Sequence, residues 1–221
     1  MTALPAGPLA GRPPAEAHPD RIGASIRRLL AEAPVGRYAL LEAAFAAQRL
    51  RPGEPKPAGT ARYQPVVQTD GEDVAARVAR LLSGLAWAIV TRSSPAELRV
   101  EVPRAVYHRV TRALSGAWRD ARRRLCAAPE LRVDPGVAVA LWRMAMLADG
   151  IGPQRDMVYL RAGGPALAEV LVAAAQRLGL SPVVEPVRGG PAVALCHPAD
   201  VRWLLAEAGA ADAARLWRFT A

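Results

Sequence analysis

The feature that most constrains this chain is an internal repeat. The stretch Val137 to Ile151, VAVALWRMAMLADGI, reads as a helix with small residues at Ala145 and Ala148, large apolar groups at Leu141, Trp142, Met146 and Leu147, and an Asp149-Gly150 end. About a hundred residues earlier a weaker copy runs from Ala39 to Leu50, ALLEAAFAAQRL. Overlaid, Leu40 falls on Leu141, Ala44 on Ala145, Ala47 on Ala148 and Gln48 on Asp149. Helices with only methyl groups at positions three apart can bring their backbones close along one seam, a steric argument best known from membranes but valid in water. The two stretches are therefore predicted to be the central seam helices of a duplicated domain.

The rest of the chain follows the same repeat. Ile22, Ile26, Leu29 and Leu30 keep helical spacing over Arg21 to Glu32, and Pro34 ends that helix. After the first seam helix, Arg51 to Ala61 is a Pro/Gly loop, and Tyr63 to Thr69 reads as a strand with an edge or bulge at Pro65. Thr69 and Glu72 have capping-box spacing ahead of a helix through Val74, Val78, Leu81 and Leu82. Ala86 to Thr91 and Glu97 to Val102 read as strands around a Ser93-Ser94-Pro95 turn, and Pro103 opens a helix through Leu114. The second half has a strand at Met157 to Arg161, a helix opened by Gly163-Gly164-Pro165, and strands at Ser181 to Val187 and Ala192 to His197. Its last helix opens at Pro198 and ends at Gly209.

Punctuation repeats in register. Gly84 matches Gly179, Pro95 matches Pro191 and Pro103 matches Pro198, at offsets of 95 or 96 residues. The expected layout is a disordered tail over 1–20, a first half over 21–116, an inter-half linker over 117–136 and a second half over 137–221.

Net charge is +9, and Lys56 is the only lysine. Such a balance suits an acidic partner such as nucleic acid, although a GC-rich coding sequence would also favour Arg, Ala, Gly and Pro. Cys126 and Cys196 form neither a disulfide framework nor a zinc motif, which fits a reducing cytoplasm. The N-terminus lacks the pattern of a signal peptide, and no apolar run reaches the length of a membrane span.

Few residues qualify for chemistry. Cys196 and His197 adjoin on a strand and so point to opposite faces, read as a buried thiol and a half-exposed imidazole. His108 has no partner in sequence, and His18 lies in the tail. Gly163-Gly164-Pro165 reads as a helix cap rather than a phosphate loop. On the strands, Glu97, Arg99 and Glu101 are expected outward in the first half, and Val193, Leu195 and His197 in the second. Two carboxylates around one arginine make a poor phosphate surface, and the second set suits a protein partner or self-association. Arg119 and the run Arg122, Arg123 and Arg124 are the best phosphate contacts, with a solvated helix face as the plainer reading.

A seam helix followed by strands, a helix, a hairpin and a helix, carried out twice, resembles the LAGLIDADG homing-endonuclease fold. Within it the second half resembles the WhiA family of sporulation and division regulators, through a W-R-x-A-x-L-A-x-G core at Trp142 to Gly150 and an ending like Val201 to Trp217 with Leu204-Leu205 and Gly209-Ala210. The resemblance implies an α+β, pseudo-twofold αββαββα domain with two seam helices and two antiparallel sheets forming a saddle. It also implies a C-terminal helix-turn-helix domain, which these 221 residues do not contain. Nucleases of this fold place one acidic residue at the foot of each seam helix to hold divalent metal at the scissile phosphates. Here Asp149 faces Gln48, a poor ligand for a hard cation, and Asp149 alone is read as an Asp-Gly turn. The expectation is a module with no catalytic residue, metal or cofactor, acting in transcriptional control of sporulation or division. Because the strand faces are poorly basic, it is expected to act first through a protein such as the transcription machinery or a separate regulator, with DNA binding as the other route. The alternative is a cryptic homing nuclease using Asp149.

Overall fold

The structure is a computed structural model that describes residues 19–57, 61–126, 132–149 and 157–216. In the first half, α1 (Pro19–Glu32) leads into α2 (Ala39–Arg49), β1 (Arg51–Pro52), β2 (Tyr63–Thr69), α3 (Glu72–Leu82), β3 (Ile89–Ser94), β4 (Glu97–Pro103) and α4 (Arg104–Cys126). The second half runs α5 (Pro135–Asp149), β5 (Val158–Arg161), α6 (Pro165–Arg177), β6 (Pro182–Val187), β7 (Gly190–Leu195), α7 (Pro198–Leu205) and α8 (Ala211–Leu216). Residues up to 18 of the expected tail lie outside the described residues, as do Gly150 and Trp217.

The duplication is real at the level of wiring. One antiparallel sheet has the order β1-β2-β4-β3 and the other β5-β7-β6, so β2, β4 and β3 correspond to β5, β7 and β6. The seam helices α2 and α5 pack directly on each other. Ala44 and Ala145 are fully buried on them, while Ala47 and Ala148 are partly buried against the same core. From Ala138 to Leu147 every residue of α5 except Arg143 is buried, as expected of a helix apolar around its whole circumference. One continuous apolar core runs through both halves. Within it the Trp142 indole donates to the Leu171 carbonyl at 3.1 Å, and Phe45 meets Trp118 edge to face at 6.1 Å.

Several local expectations are corrected. The strand expected at Ala86–Thr91 is instead β3 at Ile89–Ser94, and Trp87 is 75% exposed. Thr69 and Glu72 form no capping box: Gly71 is the N-cap, Thr69 accepts from the Gly71 amide, and Glu72 pairs with Arg92. The stretch 117–126, expected to begin the inter-half linker, continues α4 without a break. Past α7 the backbone passes through a wide turn at Ala206–Ala210, where Gly209 has φ +99°. A Cβ at Gly209 would stand 2.9 Å from the Ala33 Cβ, so glycine lets the chain's last helices close onto the end of α1.

Candidate functional site

The foot of the seam is where this architecture would place chemistry. Asp149 ends α5 and keeps a carboxylate with a side chain only 10% exposed. Its partner is not Gln48, which points to solvent, but Arg49, the last residue of α2. The Arg49 guanidinium forms an ion pair with Asp149 across the seam. Gly163 (φ +74°) stands alongside, its Cβ position 3.6 Å from the same guanidinium. Burial lowers the pKa of Arg49 from its ordinary value, yet an arginine stays charged throughout the accessible pH range.

That arrangement does not fit a divalent metal. A hard cation needs several oxygen ligands, and here one carboxylate is already neutralised by a cation. No cluster of three or more His, Cys, Asp or Glu is assembled among the described residues.

Two more charge pairs cross the seam above the foot. At its head Arg37 pairs with Asp134, whose carboxylate also accepts from the Gly136 amide at 2.8 Å. In the middle Glu42, 1% exposed, accepts from Arg143 at 2.6 Å and from Arg77 at 2.7 and 3.1 Å. The same two arginines donate onward, Arg77 to the Ala33 carbonyl and Arg143 to the Ala208 carbonyl at 2.6 Å. A buried ionic triad thus joins α2, α3, α5, the end of α1 and the turn before α8. The first half supplies Arg37, Glu42 and Arg49, while the second supplies Asp134, Arg143 and Asp149, with opposite sign at each level. That alternation was present in the sequence and was the signal from which Arg49 and Glu42 could have been found.

The sheet faces differ from expectation. Val193 and Leu195 are not an outward partner-binding patch; both are fully buried. In register they stand opposite Leu160 and Val158 and face the helices. A one-residue slip in counting exchanges the two faces of a strand. The opposite face of β7 carries Ala192 and Ala194, which are also buried, beside Arg161 and Tyr159 in register. His197 is exposed beside Asp200 at 3.6 Å, and Cys196 is exposed rather than buried. In the first half Arg99 and Glu97 are part-exposed, 3.9 Å apart. Glu101, expected outward, is 2% exposed and held by Lys56 at 2.7 Å. Lys56 belongs to a segment that follows β1, and its backbone exchanges two hydrogen bonds with the Gln64 amide, at 2.8 and 3.1 Å. The sheet face is therefore close to neutral.

The arginines of α4 remain accessible. Arg122 pairs with Glu169 of α6 at 3.1 Å, while Arg123 and Arg124 share Asp120 at 2.6 and 2.8 Å. Arg119 donates to the Ser115 carbonyl of its own helix at 3.3 Å. His108 lies exposed on the same helix, edge-on to Tyr107. At the start of α6, Gly164 is the N-cap and Pro165 the first helical residue. A cavity of about 690 Å³ between α4, α6 and the β6–β7 hairpin is lined by apolar side chains with Glu169, Gln176 and Arg177 at its edge. It brings no catalytic grouping together. No helix among the described residues is long and apolar enough to cross a membrane.

No family model matches the sequence, and no curated protein matches it. Among solved structures, the fold is similar to the N-terminal LAGLIDADG domain of DUF199/WhiA, with TM-score 0.55 and 10% identity over 85% of this chain and 91% of that one. It is similar to full-length DUF199/WhiA from Thermatoga maritima, with TM-score 0.53 and 11% identity, covering 89% of this chain and 66% of that one. This chain thus spans just under two thirds of the full-length WhiA protein. It is also similar to the homing endonuclease I-DmoI, solved in complex with DNA and Mn, with TM-score 0.52 and 11% identity over 76% of this chain and 96% of that one.

Proposed function

From a duplicated LAGLIDADG fold of the WhiA-like kind, we propose that this protein is a non-catalytic regulatory module that binds duplex DNA without cutting it. Its setting is transcriptional control, of sporulation or cell division as in the WhiA family. One observation carries the reading: at the seam foot, where a nuclease of this fold needs two carboxylates, Arg49 is paired with Asp149. A guanidinium there supplies the positive charge that a metal would otherwise bring, but cannot activate water or bridge a phosphate to a metal-bound nucleophile. The excess of positive charge over the whole chain supports a polyanionic partner.

The competing reading is a nuclease that retains Asp149 as its metal ligand. Incubation of the purified protein with supercoiled plasmid and millimolar Mg²⁺ or Mn²⁺ separates the two. The expected result is unchanged plasmid at every metal concentration. Cleavage that disappears in Asp149→Asn would overturn the proposal.

A further inference from the structure

Resting on that DNA-binding reading, we propose that the duplex docks on the outer face of α4, on the helical side of the molecule, and not on the sheet saddle. Helix α4 is 23 residues long and carries seven arginines against one carboxylate, Asp120. At 1.5 Å per residue it extends about 35 Å, close to one turn of B-form DNA. One side of it is buried through Val110, Leu114, Trp118, Ala121 and Leu125. At 3.6 residues per turn, Arg109, Arg112, Arg119 and Arg123 fall on the opposite side, with Arg104 and Arg122 along its flank, and all six are exposed.

These cations are open to exchange. Among the described residues Arg112 makes no hydrogen bond or ion pair, and Arg119 touches only a carbonyl of its own helix. The pairs of Arg122 and Arg123 are half to three-quarters exposed on the arginine side, and such surface pairs contribute little. Phosphates can replace their carboxylates at small cost. Between Arg112 and Arg119 the helix surface is bare: a Cβ at Gly116 would meet nothing within 4 Å. A shallow groove of about 370 Å³ runs there, lined by Gly116, Arg119, Asp120 and Arg123.

The saddle offers the contrary case. Its outward charges by register are Arg51, Arg99 and Arg161 against Glu97, Glu101 and Glu185, with Lys56 reaching the same face from the segment after β1. Lys56 is already committed to Glu101. Phosphate affinity comes from net neutralisation and counterion release, and that surface, where carboxylates nearly balance the cations, has far less net charge to supply than α4.

The test is binding of the full chain to a fluorescent duplex of about three helical turns (about 30 base pairs), titrated across a range of KCl. Three proteins are compared: the parent, the triple variant Arg112→Gln/Arg119→Gln/Arg123→Gln, and the saddle variant Arg99→Gln/Arg161→Gln. Thermal melts establish that all three are folded. The triple variant should bind at least about tenfold more weakly, with its salt slope reduced by roughly 0.9 per arginine removed, while the saddle variant stays within about twofold of the parent. A parent that binds while the triple variant binds equally well overturns the α4 surface and leaves the DNA-binding reading intact. A parent that fails to bind duplex at low salt overturns both. A parent that binds polyglutamate as tightly as duplex assigns the stripe to an acidic protein instead.

Discussion

The two halves of this molecule share one wiring diagram and differ in the sign of what they carry to the seam. From head to foot the first half presents Arg37, Glu42 and Arg49, and the second presents Asp134, Arg143 and Asp149. Each half is therefore complementary to the other and repulsive to a copy of itself, because a symmetric pairing would set arginine against arginine and carboxylate against carboxylate. Alternating charge along a helix pair is a known means of fixing partner and register. The shared wiring sets the fold, while opposite charges at three levels make the pairing of the two halves specific. At the foot the two halves meet through the Arg49–Asp149 salt bridge.

The strongest way to break this complementarity is at its centre. Glu42 is the sole described carboxylate that Arg77 and Arg143 share, with Arg77 fully buried. Glu42→Gln keeps the shape and removes the charge, leaving two arginines without a counterion. Removing one partner of a buried ionic group costs about 3–5 kcal/mol, so the urea midpoint should fall sharply, and folding at 37 °C should be compromised. A midpoint unchanged from the parent would mean that the triad does not hold the halves together.

At the foot the expected effect is smaller and more informative. Arg49→Glu places two carboxylates together and should cost about 1–3 kcal/mol by stranding a poorly solvated charge. Adding Asp149→Arg to that variant reverses the pair and should restore most of the loss, which a purely steric role for Arg49 would not allow. The single variant should also gain thermal stability from millimolar Mn²⁺, since only then do two acids face each other. The parent should show no such gain. Equal Mn²⁺ shifts in both proteins would remove the salt bridge as the feature that distinguishes this foot.

Most of the fold was legible because helical periodicity and Gly/Pro punctuation are local signals. The seam helices and the hairpins follow from them, and the repeat supplied a second reading of most elements, whereas the two-residue β1 at Arg51–Pro52 falls inside a stretch read as a Pro/Gly loop. What failed was phase. Val193 and Leu195 were placed outward, although the Pro103–Pro198 match itself aligns them with Leu98 and Val100, both buried. The strand is only six residues long and nearly all apolar, so alternation gave no anchor and the face depended on counting. The foot failed for a different reason: overlaying the helices aligned Cα positions, whereas Arg49 has the reach to bring its guanidinium to Asp149. The buried Glu101 was illegible because its neutralising Lys56 arrives from a Pro/Gly segment with no periodicity to place it.

The closing helices of the two halves extend the comparison to glycine. Gly116 lies within an unbroken α4 with open space around it, whereas Gly209 breaks the helix after α7 with φ +99° and closes on Ala33. Gly116→Ala should raise stability by about 1 kcal/mol through helix propensity. Gly209→Ala should lower it by about 1–2 kcal/mol, the cost of forcing an L side chain into the left-handed region, with the contact at Ala33 added. Melts of both variants under one condition read the contrast directly. Two changes of the same sign would show that the final turn tolerates repacking.

The smallest effect lies at the head of the seam, where the charge pair is exposed. Hydrogen bonds from the Tyr38 hydroxyl, then from the Gly136 amide, with Arg37 nearby, hold the Asp134 carboxyl below its ordinary pKa. Burial, followed by the bond to Asp134, raises the Tyr38 hydroxyl above its ordinary value. A depressed carboxyl contributes stability that is present above the unfolded carboxylate range, near pH 4, and is lost as pH falls through the folded value. A raised phenol contributes stability that is present below about pH 10 and is lost as pH rises through its folded value. The pair therefore brackets a plateau whose acid edge belongs to Asp134 and whose alkaline edge belongs to Tyr38. In a pH series of Tm, Tyr38→Phe should flatten the alkaline edge and soften the acid one. Asp134→Asn should flatten the acid edge and leave the Glu42 and Arg49 pairs to hold the seam. Because Arg37 is largely exposed, added salt should shrink both differences, while the buried Glu42 triad, shielded from ions, should respond far less.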